Sequence, residues 1–241
     1  RPPAGVEPAL VAVLLHGFGG SGTQLADAWL PPIYDRLGKR TFSSIRWVFP
    51  TASSRAITCY GGLKLRGWYD YFSDRRCSEG PVEETINEDQ VRATRRALGR
   101  LLAEQRSVAA GVPVVLIGLS QGGCVAVDSA MHSCSNSSRP SAVFCARGHV
   151  LGLTLRDLPE AKTGLPQVTA HSNVLCVLAH HGSHDDQIPC ELSRSSFAEL
   201  QHKTMARVEH KVEEGLKHMQ PSSREMDRIA DFLRSWASQK K

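Results

Sequence analysis

The sequence predicts an α/β fold: a mostly parallel sheet with helices on both faces. Three observations lead there. Leu10–Leu15, Val114–Ile117 and Val174–Ala179 are apolar runs without polar alternation, the pattern of strands buried on both faces. Between them lie segments whose apolar residues recur at helical spacing, most clearly Glu83–Gln105. The runs also end in short clusters of Gly, Ser, His and Asp, and parallel sheets gather working groups at the carboxyl ends of their strands. A chain of 241 residues, 41% hydrophobic and 22% charged, suffices for one domain spanning 1–241, which would bury roughly 70–75% of its unfolded surface.

Residues 1–9 are expected to form a disordered or truncated tail. Leu10–Leu15 is the first strand and runs into His16-Gly17-Phe18-Gly19-Gly20-Ser21-Gly22, a loop whose backbone can approach another group closely. A helix starts over Gln24–Trp29, is interrupted at Pro31-Pro32 and continues through Leu37 to Gly38. Ile45–Phe49 is a strand stopped by Pro50. Thr51–Ser73 lacks a clean period and reads as a long irregular loop, kept from disorder by Leu63, Leu65, Trp68, Tyr69 and Tyr71.

The helix Glu83–Gln105 has acidic residues in its first turn. It carries a core stripe of Ile86, Val91, Ala97, Leu98, Leu101 and Leu102, and Arg92, Arg95, Arg96 and Arg100 form a solvated face. A strand at Val114–Ile117 and a helix follow, then a polar break at Ser133–Pro140 and a strand at Ala142–Ala146. Next come an irregular stretch from Leu155 to Ser172 and the strand Val174–Ala179. The helix Ser195–His202, the strand Ala206–Lys211 and the helix Pro221–Trp236 close the chain.

The chemistry centres on Gly118-Leu119-Ser120-Gln121-Gly122-Gly123. A strand that reverses into a helix within about two residues crowds its backbone, so glycines stand at 118 and 122 and Ser120 is pushed out at the tip. The N–H of Gln121, at the helix start, would point at the same spot and could hold an oxyanion there. A serine hydroxyl is a poor nucleophile at neutral pH and needs a base, which in turn needs an anion. In this architecture the acid follows the nucleophile and the histidine comes last, which selects Asp185 and His218, with Asp186 a competitor for the acid. The second oxyanion donor is expected in the loop after the first strand, at the Phe18 N–H. His180, His181, His184 and Asp185 would offer metal ligands, but their spacing in a loop does not put them on one face, so the site is read as metal-free and without cofactor.

A net charge of +5 without a dense Lys/Arg cluster argues against nucleic acid and permits transient contact with anionic membrane surfaces. No apolar run approaches the roughly 20 residues of a membrane span. The seven cysteines, Cys59, Cys77, Cys124, Cys134, Cys145, Cys176 and Cys190, form an odd set without a C-x-x-C pair, which points to reduced thiols in a cytoplasmic setting. Cys124 and Cys176 are read as small buried hydrophobes.

Six segments then carry a resemblance. They are Leu15-His16-Gly17-Phe18-Gly19, Phe49-Pro50, Gly67-Trp68-Tyr69-Asp70, the Gly118–Gly123 elbow, His181-Gly182-x-x-Asp185-x-x-Ile188-Pro189 and Glu214-Gly215-Leu216-Lys217-His218. Over residues 10 to 236 the chain resembles the acyl-protein thioesterase and lysophospholipase-like branch of the α/β hydrolases, the phospholipase/carboxylesterase family. The departures are Ser183 where many relatives carry Asp, Asp186 where many carry Pro, and Met219 where Ser is frequent.

The resemblance implies Ser120 as nucleophile, Asp185 as acid, His218 as base and the Phe18 and Gln121 amides as oxyanion hole. It implies an acyl channel lined by Leu63, Leu65, Trp68 and Ile188, and S-acylated proteins or lysophospholipids as substrates. The same machinery would serve short carboxylic esters. A catalytically silent lipid-binding scaffold is the alternative of another class, and a metallohydrolase on the His180–Asp185 cluster is another.

Overall fold

The computed structural model describes residues 7–73, 85–133, 135, 138–158 and 174–238. The expected tail at 1–6, the helix start at Glu83, Cys77, Cys134 and most of the irregular stretch to Ser172 lie outside the described residues.

Six parallel strands form one sheet in the order β2-β1-β5-β6-β7-β8: Ile45–Val48, Leu10–Leu15, Val114–Leu119, Ala142–Ala146, Cys176–Gly182 and Arg207–Glu213. Side chains alternate across each strand, so the apolar runs feed two cores at once. Val11, Val13, Leu15, Leu116 and Val143 face helices α2 (Glu88–Val108), α3 (Gln121–Met131) and α5 (Cys190–Lys203). Leu10, Ala12, Leu14, Ile117 and Phe144 face α1 (Gly22–Ser43) and α6 (Ser223–Ala237). The expected mostly parallel sheet with helices on both faces is the architecture found. A short helix α4 (Gly152–Arg156) follows β6.

Several local expectations are corrected. Residues 7–9 are described, and the Ala9 N–H is bonded to the Ser44 carbonyl, so the end of the expected tail is tied to the sheet. The interruption in α1 falls at Gly38 (φ 72°) and not at Pro31-Pro32. Pro31 is exposed and Pro32 half-buried, so the ladder bonds they remove face water.

The loop 51–73 contains an antiparallel hairpin, β3 (Ser54–Ile57) with β4 (Leu63–Arg66), turning through Gly61 and Gly62 in the left-handed region. In α2 the buried stripe is Val91, Thr94, Leu98, Leu102 and Gln105, while Ala97 is exposed and Ile86 precedes the helix. Nor is the arginine face merely solvated. Arg95 grips the buried Asp128 at 2.8 Å and 2.9 Å and reaches Asp157, which also pairs with Arg92. Cys124 is buried, whereas Cys176 is only half-buried. No described helix is long and apolar enough to cross a membrane.

Candidate active site

The elbow between β5 and α3 is dictated by contact between backbones. A Cβ on Gly118 would sit 2.2 Å from the Gly122 carbonyl oxygen, and one on Gly122 would sit 2.4 Å from that of Leu15. Only glycine fits either position. The crowding drives Ser120 to φ 54°, a conformation that L-residues seldom adopt and that clusters at functional sites. Its N–H is held by the Ala146 carbonyl at 2.8 Å.

Three chain segments meet at this serine. His218, in the loop between β8 and α6, has its Nε2 2.8 Å from Ser120 Oγ and its Nδ1 2.7 Å from Asp185 Oδ2. In this arrangement Nδ1–H donates to the carboxylate and Nε2 accepts the serine hydroxyl. Asp185 lies in the β7–α5 loop and is 8% exposed, while Asp186 faces solvent; this geometry distinguishes the two adjacent carboxylates. The other carboxylate oxygen of Asp185 accepts the N–H groups of Gln187 and Ile188 at 2.9 Å and 2.8 Å. Burial alone would raise the Asp185 carboxyl; the hydrogen bond and charge of His218 and these two amides hold it below the usual carboxylate value.

Phe18 lies in the loop after β1 and Gln121 opens α3, directly after Ser120. Among the described residues neither N–H donates a hydrogen bond, so both are free to meet an acceptor. The loop that carries Phe18 is braced from several directions. His16 donates from Nδ1 to the Gly17 carbonyl at 2.7 Å and accepts the Ala52 N–H at Nε2, 3.0 Å away.

Trp68, expected on an acyl channel, belongs instead to this bracing. Its indole N–H donates to the His16 carbonyl, its backbone N–H to Gln121 Oε1, and the Gln121 amide returns a bond to the Tyr69 carbonyl. Leu63 is 58% exposed on the hairpin, and neither it nor Leu65 lines the cleft at Ser120. The hairpin meets the cleft instead through Cys59 and Tyr60, in the connection between β3 and β4. Ile188 does line it.

The cleft is about 890 Å³. One wall combines Phe18, Tyr60 and Tyr71, with the Phe18 ring packed against both tyrosines; the other is formed by Trp29, Pro32 and Met226 from α1 and α6. No sequence signal joined these last three, which lie up to about two hundred residues apart. Sequence reading also missed Arg147 and Glu225, although a charged residue directly after an apolar strand was a visible cue.

The histidines near Asp185 are spent on separate partners. His180 Nε2 meets Glu213 and its Nδ1 accepts from Arg228, His181 Nε2 donates to the Ile188 carbonyl, and His184 is exposed beside Ser183. They do not converge on a common point.

Burial, reinforced by Arg228, lowers His180 to about 4. Burial, reinforced by His181 and Arg194, does the same to His210. The unfolded chain therefore takes up protons at these positions near pH 6.5 while the folded chain does not, and stability falls as pH drops from about 6.5 to about 4. Thermal melts across that interval should lose several degrees, and His210→Gln should flatten the decline. A melting temperature constant over the interval would count against it.

A family model described as Phospholipase/Carboxylesterase matches residues 3–237. The chain belongs to this family. A probable inactive carboxylesterase of Oryza sativa subsp. japonica is 29% identical over 209 residues, covering 86% of this chain and 76% of that protein. An acyl-protein thioesterase 1 of Neurospora crassa is 24% identical over 132 residues, 54% of this chain and 51% of that protein. Among solved structures, Arabidopsis thaliana SOBER1 superposes with a TM-score of 0.73 at 22% identity, covering 94% of this chain and 98% of that one. Zea mays acyl-protein thioesterase 2 gives 0.73 at 23% identity, covering 98% and 96%. These likenesses show the fold, and the family is one of carboxylesterase and acyl-protein thioesterase-type hydrolases.

Proposed function

We propose that the chain is a serine hydrolase that removes long acyl chains from thioesters on protein cysteines through an acyl-enzyme. The observation that carries this reading is the unbroken series Asp185–His218–Ser120, at 2.7 Å and 2.8 Å, opening on a cleft with aromatic and aliphatic walls. His218 takes the Ser120 proton as Oγ attacks the acyl carbonyl. The Phe18 and Gln121 amides receive the oxyanion, and its collapse expels the thiolate. Water, activated by the same imidazole, then hydrolyses the acyl-enzyme. The acyl-protein thioesterases among the relatives support the substrate class. The soluble enzyme would meet its S-acylated substrates by transient contact with a membrane surface, and the compartment proposed is the cytoplasm.

One relative carries the word inactive in its name, which favours a second reading: a lipid-binding protein that retains the fold. A fluorophosphonate probe separates the two, since labelling of Ser120 requires an activated hydroxyl and folded protein left unlabelled supports the binding reading. Chain length tests the specificity. At about 0.8 kcal/mol per buried CH₂, shortening the acyl group by four methylenes should lower kcat/KM by roughly 200-fold. A flat profile from short to long acyl thioesters would instead support a short-chain carboxylesterase. A preference for lysophospholipid over thioester would assign the same machinery to lysophospholipase activity.

A further inference from the structure

The segment leaving β6, Ala146-Arg147-Gly148, touches all three parts of the Ser120 site. The Ala146 carbonyl accepts the Ser120 N–H at 2.8 Å. The Arg147 N–H donates to the His180 carbonyl at 2.7 Å, on the strand that leads to Asp185. Arg147 Nη1 donates to the carbonyls of His218 at 2.5 Å and Gln220 at 2.9 Å, so a side chain from one strand end gathers the loop that carries the imidazole.

Arg147 pays for this placement in backbone strain. Its φ is 51°, and in the described residues only Ser120 shares a positive φ without being glycine. Gly148 has no room for a side chain: its Cβ would lie 2.7 Å from Cys145 Sγ and 3.0 Å from the Ser120 carbonyl oxygen. The turn is therefore fixed against the elbow from below.

Glu225, near the start of α6, completes the unit. Arg147 Nε meets Glu225 Oε2 at 3.0 Å and Nη2 meets Oε1 at 2.5 Å, with side chains 6% and 0% exposed. A buried ion pair of this kind is weak evidence of stabilisation, because apolar residues of similar volume often replace one at no cost. It does fix an orientation: the bidentate fork leaves the guanidinium one plane, and that plane aims Nη1 at the two carbonyls. With Nε, Nη1 and Nη2 all engaged, Arg147 is poorly placed to receive a substrate anion, although it lines the cleft.

We propose that Arg147, oriented by Glu225, is a positioning residue that holds the His218 loop in register with Ser120 and Asp185. The inference rests on the serine hydrolase reading above and assigns it a supporting unit. Its consequence is specific: loss of the clamp should fall on turnover more than on substrate binding, because the wall of Phe18, Tyr60 and Tyr71 and the wall of Trp29, Pro32 and Met226 keep their own residues.

The test uses the full chain with Arg147→Met/Glu225→Met, which removes both charges and leaves neither unpaired, and Arg147→Lys, which keeps the ion pair but not the planar fork. Circular dichroism and melting establish that each is folded; kinetics use an acyl thioester and a fluorophosphonate. The double variant is expected to lose about 10²-fold in kcat and in labelling rate with KM within about threefold of wild type. Arg147→Lys, which can still reach one carbonyl, should fall between the two and decides the matter if the double variant does not fold. A change in melting temperature alone would mark a structural role.

Folded variants with kcat and labelling rate within twofold of wild type would overturn the proposal. So would a loss falling on KM, which would put Arg147 against the substrate. A wild-type protein that does not label at all would overturn the hydrolase reading and this proposal with it.

Discussion

Replacing Ser120 by Ala should reduce turnover of an acyl thioester by about 10⁶-fold and abolish fluorophosphonate labelling, with the fold intact. The expectation follows from what the hydroxyl touches. Ser120 Oγ meets His218 Nε2 and holds no element of the fold, whereas the strained turn is maintained by the backbone, through the Ala146 carbonyl and the glycines at 118 and 122. Alanine tolerates φ 54° no worse than serine does. A melting temperature near that of the wild type should therefore accompany the loss, and what activity remains would report the Phe18 and Gln121 amides acting on water's own attack. Turnover within 100-fold of wild type would mean that the attacking group lies elsewhere.

The parts of this molecule that were legible in its sequence are those where one local constraint leaves little choice. β1, β5 and β6 could be read because a strand buried on both faces must be apolar throughout, and all six residues of β1 are buried. The elbow could be read because backbone atoms crowd both sides of Gly118 and Gly122. The hairpin β3–β4 could not: its strands are four residues each, Ser-Arg-Ala-Ile and Leu-Lys-Leu-Arg, mostly exposed, and an exposed strand imposes no alternation.

Trp68 was misread for a different reason. A resemblance carried by Gly67-Trp68-Tyr69-Asp70 does not say which way an indole faces, and here its N–H turns to the His16 carbonyl and braces the loop that carries Phe18. Arg147 gave no signal of its left-handed backbone, because nothing local to an arginine requires it; the requirement comes from Gly148 packed beneath the elbow and from Glu225, 78 residues away. Likewise the α1–α6 wall of the cleft joins residues whose meeting depends on the sheet order alone.

Asp185→Asn should cost about 10⁴-fold in kcat while Asp186→Asn leaves activity near wild type, although the two residues are neighbours and the first change is nearly isosteric. The reason lies in which atoms surround each oxygen. Oδ1 of Asp185 receives two N–H donors, from Gln187 and Ile188, so an asparagine must place its carbonyl oxygen there. Its NH₂ then takes the position of Oδ2, 2.7 Å from His218 Nδ1 and 3.3 Å from His181 Nε2, where it can only donate. His218 must answer with an unprotonated Nδ1, which moves its proton to Nε2 and points it at Ser120 Oγ. An imidazole in that tautomer cannot accept the serine proton. The carboxylate's charge, which would steady the imidazolium formed during attack, is lost at the same time. Asp186, exposed to solvent, imposes neither constraint. The decisive measurement is kcat for the two variants side by side, with His218 ring nitrogens followed by ¹⁵N NMR. Equal activity of Asp185→Asn and Asp186→Asn, or an unchanged tautomer in the former, would remove Asp185 from the proton-transfer chain.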